Sequence, residues 1–172
     1  KGIRCLYIAF SSKLSGTCST ARLIAQEVQR RYPKFELTIC DSQSGSLAQG
    51  LIALEAAQLT AAGVPDDDVI ARAQLRSKGN MEHVFTVDDL GHLHRGGRLR
   101  WTSAVMGTML KVKPILHVVD GRMVVLQKVR GKAAALKRIV ELVRERSLGS
   151  VEQLIGITHA DDLEAAEKLR SM

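Results

Sequence analysis

The chain has 172 residues, 45% of them hydrophobic, 25% charged and 3% aromatic, with a formal net charge of +7. This size and composition fit one large or two small globular domains that fold without disulfides or metal, and the few aromatic residues leave little to stack on nucleobases. Three cysteines without C-x-x-C spacing, no signal peptide and no apolar run near the ~18 residues of a membrane span indicate a cytoplasmic protein with reduced thiols and no transmembrane segment.

The first elements predict a parallel sheet. Residues 3–10 form a nearly continuous apolar run, typical of a strand buried on both faces, and the polar loop SSKLSGT follows it. Ala21, Ile24, Ala25 and Val28 then have the spacing of one helix face, and residues 35–40 read as a second strand. This order favours a right-handed β-α-β crossover.

Two more helices complete the first half. DSQSGS precedes a predicted helix over residues 47–62, which Gly63 can terminate, and Pro65 suits the first turn of the next helix. The aspartates of PDDD are favourable charges at that helix N-terminus rather than metal ligands. The pattern changes at Gly79-Asn80, so we predict domains over 1–80 and 81–172.

The second half predicts another α/β domain. A strand over residues 83–87 leads into a short helix from Asp88 to about Arg95, which Gly96-Gly97 ends. Thr102 or Ser103 can cap a further helix that reaches about Leu110.

A β-hairpin over residues 114–129 follows, with Asp120-Gly121 in a type I′ turn. Leu136, Ile139, Val140 and Val143 mark an amphipathic helix, residues 153–158 a strand, and Asp161 the start of the last helix. The predicted class is therefore α/β, a partial Rossmann-like parallel sheet followed by a second α/β domain with a hairpin. Because both ends look abrupt, we expect the chain to be part of a longer protein.

The loop after the first strand is the best candidate for an anion site. It lies at the carboxyl end of a strand and the amino end of a helix, where open α/β sheets bind ligands and where backbone N–H groups attract anions. Gly16 permits a close approach, and Ser15 and Thr17 add hydroxyl groups. The alternative is that Ser15 or Thr17 only caps the helix.

Catalytic alternatives find less support. The G-x-S-x-G motif of a serine hydrolase is absent, since Lys13-Leu14 precedes Ser15, and no histidine is placed by sequence as its base. His92 and His94 are two residues apart and face different sides of a helix, and with His83 they are better read as ordinary polar side chains. Neither a Rossmann glycine motif nor a P-loop is present.

Positive charge concentrates in the second half. From Arg95 to Arg138 the chain has 11 basic residues and one acid, Asp120, which suits an anionic ligand, an acidic protein or nucleic acid. Arg98 follows two glycines, and its planar guanidinium has paired N–H donors that suit a carboxylate or phosphate. Lys128, Arg130 and Lys132 form a cationic corner, whose alternative is a solvated surface run.

Five motifs in order carry a resemblance to a known family. They are SSKLSGT, DSQSGSLAQGL, VDDLGHLHRGGRLR, GTMLKVKPIL and DGRMVVLQKVRGKAAAL. Together they resemble the DegV family of bacterial fatty-acid-binding proteins over Ile3 to about Leu169. The family's T-S-Q-P and H-x-G-P-G motifs are absent from this chain, and Cys18 stands where the family usually has an aromatic residue.

The resemblance implies a lipid-binding protein of two α/β domains with no catalytic residue, no metal and no cofactor beyond its ligand. A long-chain fatty acid would place its carboxylate near Ser15, Gly16 and Thr17, with Arg98 in the polar network around that headgroup. A separate fatty acid kinase would form an acyl phosphate for phospholipid synthesis, and the resemblance implicates Arg130 in that partnership, with transient contact at a membrane surface and none with nucleic acid. From their position and charge, we expect Lys128 and Lys132 to form the docking surface together with Arg130. The alternative is an enzyme or sensor that binds a small phosphorylated metabolite at the same loop.

Overall fold

The computed structural model describes residues 4–99, 112–147, 149 and 153–172. They form a mixed α/β fold with a parallel two-stranded sheet and an antiparallel three-stranded sheet, as predicted. Contacts group the chain into two compact units. Unit 1 comprises residues 1–82 and 119–122, and unit 2 comprises residues 83–118 and 123–172.

Unit 1 begins with the predicted β-α-β order. Strand β1 (Arg4–Ala9), helix α1 (Thr17–Arg31) and strand β2 (Glu36–Asp41) follow one another, and β1 pairs with β2 in parallel from Arg4 opposite Glu36 to Ala9 opposite Asp41. Parallel pairing brings the carboxyl ends of both strands to the same edge of the sheet. The loops that follow Ala9 and Asp41 therefore lie side by side.

Helices α2 (Ser46–Ala61) and α3 (Asp66–Ser77) pack on each other and on this sheet. Cys40, Ile52 and Ala73 form the buried centre of the packing, with Leu6 and Ile8 against it. Gly63 has a φ of 77° just after α2, and the aspartates of PDDD occupy the first turn of α3, both as predicted.

Two burial expectations in unit 1 are wrong. Strand β1 is not buried on both faces, since only Ala9 of its six residues is buried and Tyr7 is exposed. Within the described residues β1 pairs with β2 alone, so less of the sheet is covered than in a wide parallel sheet. Ile24 is 58% exposed, and Cys18 and Ala25 are the buried positions of α1.

Unit 2 contains strand β3 (Val84–Thr86), helices α4 (Gly91–Arg95), α5 (Lys132–Arg146) and α6 (Leu163–Ser171), and all but the turn-side end residues of strands β4 (Val112–Val119) and β5 (Arg122–Arg130). The sheet order is β3-β4-β5, with Val84 opposite His117 in the antiparallel β3–β4 pair. Asp120 and Gly121 have φ values of 48° and 76°, which confirms the predicted positive φ at both turn positions.

Buried Ile115, Ile139 and Leu142 join β4 to α5, with Leu169 of α6 against them. The predicted strand over 153–158 is wrong. These residues form neither helix nor strand, and Leu154 and Ile155 are 74% and 60% exposed. A strand needs a neighbour to complete its hydrogen-bond ladder, and no described strand pairs with this segment. The helix expected from Thr102 or Ser103 to Leu110 lies outside the described residues.

Candidate functional site: the loop after the first strand

The S-G-T loop connects the carboxyl end of β1 to the amino end of α1, as predicted. Helix α1 begins at Thr17 with Gly16 as its N-cap, and Ser15 is half-buried while Gly16 and Thr17 are exposed. The Thr17 N–H donates to Ser15 Oγ at 3.2 Å, and the two hydroxyl groups are 2.8 Å apart. Ser15 Oγ accepts this N–H, and its hydroxyl hydrogen can be donated either to Thr17 Oγ1 or to a ligand.

The first-turn N–H groups of a helix have no acceptor within the helix. They point outward with the positive end of the helix dipole, which favours an anion. Ser15 thus serves both alternatives raised by the sequence. It accepts an N–H beside the helix start, and it can donate a hydrogen bond to a ligand at the same place.

Sequence reasoning missed the residue that shapes this loop, Ser11. Its side chain is 0% exposed, and its carbonyl accepts the N–H groups of Leu14 at 3.0 Å and Ser15 at 3.1 Å. The Ser11 N–H donates to the Ser44 carbonyl at 2.9 Å, which joins the loop after β1 to the loop after β2. The only sequence signal was the pair of polar residues Ser11-Ser12 directly after the apolar run of β1.

Asp41, the last residue of β2, holds the same two loops. Its Oδ1 accepts the N–H groups of Ser12 and Gln43, each at 3.1 Å. Burial disfavours the carboxylate, but hydrogen bonds from Ser12 and Gln43 and the positive charge of Arg22 outweigh it, so the pKa of Asp41 lies below its ordinary value. Asp41 is therefore ionised at neutral pH, with its charge directed at the backbone of the loops.

The turn of the β4–β5 hairpin also belongs to unit 1. The Ser11 hydroxyl donates to the Gly121 carbonyl at 2.8 Å. A Cβ at position 121 would lie 2.5 Å from Ser11 Oγ. Glycine is thus required at position 121 twice, for its positive φ and for the space it leaves. The local sequence predicted the turn conformation, while this contact depends on the fold.

Arg98 lies in unit 2, in the turn that ends α4. Gly97 has a φ of 73°, and the Arg98 N–H then donates to the Leu93 carbonyl at 2.9 Å. Its exposed guanidinium donates to the Gly96 carbonyl. The glycines turn the backbone as predicted. The role of Arg98 at a ligand stays a prediction.

The cationic corner is at the end of β5 and the start of α5. Lys128 is half-buried and Arg130 exposed. Lys132 Nζ lies 2.6 Å from Asp162 Oδ2, at the N-cap of α6. Lys132 thus has a structural contact in addition to its predicted partner-binding role, which stays a prediction.

Other candidate chemistry is limited within residues 4–99, 112–147, 149 and 153–172. No three His, Cys, Asp or Glu side chains there lie close enough together to hold a metal ion. The three cysteines are free thiols. Burial, and then the negative charge of Asp41, raise the pKa of Cys18, which makes it a poor nucleophile. No helix in this described part is long and apolar enough to cross a membrane.

Unit 1 also has an open cleft of about 400 Å³ that the sequence did not predict. It lies between the sheet and helices α2 and α3 and reaches Arg4 and Glu36 at the amino ends of the strands. The S-G-T loop is at the carboxyl end of β1 and does not line it. We therefore assign the candidate site from the polar groups of the loop and not from this cleft.

Known proteins resemble the chain over its whole length. The family model described as "Uncharacterised protein, DegV family" matches residues 1–172. A DegV domain-containing protein of Clostridium perfringens is 38% identical over 173 residues, covering 100% of this chain and 59% of that protein.

Two solved structures are similar in fold. A fatty acid binding DegV family protein from Streptococcus agalactiae has a TM-score of 0.85 and 30% identity, covering 99% of this chain and 59% of that one. The second structure is of a DegV family protein from Thermus thermophilus and is described by the words "Fatty Acid Binding". It has a TM-score of 0.75 and 33% identity, covering 85% of this chain and 50% of that one. This chain thus spans between 50% and 59% of the length of these relatives, and by the match of its entire sequence it belongs to the DegV family.

Proposed function

We propose that the protein binds a long-chain fatty acid with its carboxylate at Ser15, Gly16 and Thr17. The observation that carries the proposal is the loop itself. A hydroxyl group that can donate to a ligand and a helix N-terminus meet at the carboxyl end of β1, in a chain whose solved relatives are described as fatty acid binding.

The energetics of such a ligand suit this arrangement. Burial of an acyl chain contributes about 0.8 kcal/mol per CH₂ group, so a long chain supplies most of the affinity. Burial of the carboxylate is costly unless donors and a cation compensate. Ser15 and the first-turn N–H groups of α1 would supply the donors.

We assign Arg98 as the cation of the headgroup network. Its guanidinium has five N–H donors in a planar fork that matches a carboxylate. The hydrogen bond to the Gly96 carbonyl engages part of that fork. The assignment rests on the G-G-R motif and on this donor geometry.

The protein would then act as the non-catalytic, cytoplasmic subunit of a kinase system. A separate kinase would dock at Lys128, Arg130 and Lys132 and transfer the γ-phosphoryl group of a nucleoside triphosphate to the carboxylate. A carboxylate oxygen attacks the phosphorus, the bond to the nucleoside diphosphate breaks, and an acyl phosphate forms for phospholipid synthesis. This protein would bind and orient the nucleophile only.

Solvent extraction and mass spectrometry of the purified full-length protein test the proposal. We expect about one long-chain fatty acid per molecule. A lipid-free protein that also fails to bind added fatty acid would contradict it. A stoichiometric phosphorylated metabolite in the extract would instead support a metabolite sensor or enzyme at the same loop.

A further inference from the structure

Ser11 is hydrogen-bonded through both its side chain and its backbone. Its hydroxyl group donates to the Gly121 carbonyl at 2.8 Å, and its hydroxyl oxygen accepts the N–H of Lys13 at 3.2 Å. Its backbone carbonyl accepts the N–H groups of Leu14 and Ser15. One buried residue thus holds the N–H groups of three successive residues, Lys13, Leu14 and Ser15.

Ser11 is not placed to bind a ligand itself. The side chain is 0% exposed, and its single hydroxyl hydrogen is engaged by the Gly121 carbonyl. A serine hydroxyl has one donor, so none is left for an anion. Any effect of Ser11 on a ligand must therefore pass through the loop.

Gly121 is the acceptor on which this arrangement depends. A Cβ there would lie 2.5 Å from Ser11 Oγ, so no other residue lets the turn approach so closely. Loss of the Ser11 hydroxyl would leave the Gly121 carbonyl and the Lys13 N–H without this partner. Both segments would then be free to shift, and the Ser15 hydroxyl would shift with them.

We propose that Ser11 is a positioning residue that, held by the Gly121 carbonyl, orients Ser15 and so makes the loop selective for a carboxylate headgroup. This rests on the proposed function, since it specifies how the loop discriminates a charged headgroup from a neutral one. Selectivity for an anion depends on preorganised hydrogen-bond donors. The affinity for the acyl chain depends on burial of apolar surface and not on these donors.

The experiment compares two ligands of equal chain length in the full-length protein, octadecenoic acid and octadecenol. Dissociation constants of both are measured by calorimetry for the wild type and Ser11→Ala. We expect Ser11→Ala to weaken binding of the acid roughly fivefold to tenfold, because a displaced Ser15 hydroxyl keeps only part of its hydrogen bond to the charged headgroup, and to change alcohol binding less than about twofold.

Ser77→Ala is the matched control. Ser77 is also a buried serine of unit 1, and its hydroxyl donates to the Ala73 carbonyl at 2.8 Å. It should lower thermal stability like Ser11→Ala but leave the ratio of acid to alcohol affinity unchanged. Ser11→Cys keeps a weak donor and should give an intermediate ratio, and Gly121→Ala should reproduce Ser11→Ala by displacing its hydroxyl.

The outcomes separate the two proposals. Wild-type protein that prefers the acid, with the same preference in Ser11→Ala and Gly121→Ala, overturns the positioning role alone. Equal weakening of acid and alcohol also overturns it, since that marks a structural role only. Wild-type protein that binds neither ligand overturns the proposed function and this inference with it.

Discussion

At the residue scale, Ser15 combines two hydrogen-bonding roles. It accepts the Thr17 N–H at 3.2 Å and can donate its hydroxyl hydrogen to Thr17 Oγ1 or to a ligand. A ligand carboxylate is the stronger acceptor because it is charged. When a ligand binds, the Ser15 hydroxyl can exchange the acceptor Thr17 Oγ1 for the ligand carboxylate at little free-energy cost. This suits a site that binds and releases its ligand.

Ser15→Ala should weaken fatty acid binding by about 0.5–1.5 kcal/mol, or up to about 3 kcal/mol where the carboxylate is fully buried, because the lost hydrogen bond is to a charge. Titration with a fluorescent fatty acid measures the change. The control is Ser147→Ala, which removes an exposed hydroxyl that donates to the Arg144 carbonyl. Equal affinities for wild type and Ser15→Ala would place the headgroup elsewhere.

Arg98 is tested by two substitutions. Arg98→Ala should cost at least as much affinity as Ser15→Ala, since it leaves an anion without its cation. Arg98→Lys should recover only part of the loss, because an ammonium group lacks the planar fork. The same titration measures both variants. Full recovery with lysine would mean that charge alone matters at this position.

The cysteines differ in accessibility. Cys18 and Cys40 are buried, while Cys5 is partly exposed. The raised pKa of Cys18, caused first by its burial, reduces its thiolate fraction further. A thiol reagent at neutral pH should label Cys5 first, and peptide mass spectrometry identifies the site. Early labelling of Cys18 would contradict the packing of α1.

At the element scale, an ion-pair cluster joins α2 to α3. Glu55 of α2 accepts hydrogen bonds from Arg76 at 2.7 and 3.1 Å and from Arg72 at 2.9 Å. The hydrogen bond from Arg76, which outweighs burial, lowers the pKa of Glu55. Both arginines come from the next helix, so the cluster fixes how α3 lies against α2.

Glu55→Gln should lower the free energy of unfolding by about 1 kcal/mol at pH 7, a modest value because the groups are partly solvated. A carboxyl with a lowered pKa stabilises the fold above its unfolded pKa of about 4.3 and loses this contribution as the pH falls through its folded pKa. Urea denaturation should therefore give a difference between wild type and variant that shrinks below about pH 4.

The control for this prediction is Glu27→Gln, which affects a pair with Arg31 within the single helix α1. Exposed pairs of this kind contribute about 0.3–0.5 kcal/mol. A loss at Glu55 no larger than that at Glu27 would show that the α2–α3 cluster adds nothing beyond a surface pair.

At the scale of the whole molecule, charge distribution bears on the proposed kinase partner. The chain has a net charge of +7 with most of its excess in the second half. Lys132 is held by Asp162, while Arg130 is exposed at the end of β5. Exposed charges of this kind act mainly on association rate and on salt dependence.

Arg130→Ala should leave fatty acid affinity and thermal stability nearly unchanged but slow phosphorylation of the bound lipid by a cognate kinase. Raising salt from about 0.05 to 0.5 M should weaken the kinase complex of the wild type more than that of the variant. Salt screens electrostatic attraction between the two proteins, and the variant has already lost the part contributed by Arg130. Arg30→Ala, an exposed arginine of α1, is the control. Lys132→Ala should also lower thermal stability, since it breaks the pair with Asp162. Normal kinase coupling but reduced lipid affinity in Arg130→Ala would place this arginine at the ligand.

Local sequence determined much of this protein. The order β1, α1, β2 and the positive φ at Asp120 and Gly121 follow from apolar patterning and turn chemistry within a few residues. The S-G-T loop between β1 and α1 was predicted for the same reason, since strand and helix signals flank it directly. The five motifs then predicted the family.

The tertiary structure decided what depends on residues far apart. Ser11 and Gly121 are 110 residues apart in the chain, and no local pattern shows that one hydroxyl joins the loop after β1 to a hairpin turn. Residues 153–158 have the composition of a strand without a described neighbour to pair with, and Ile24 has helical spacing without burial. Burial and pairing belong to a residue and its partners together, so the sequence predicts the elements and their loops while the contacts between distant segments come from the fold.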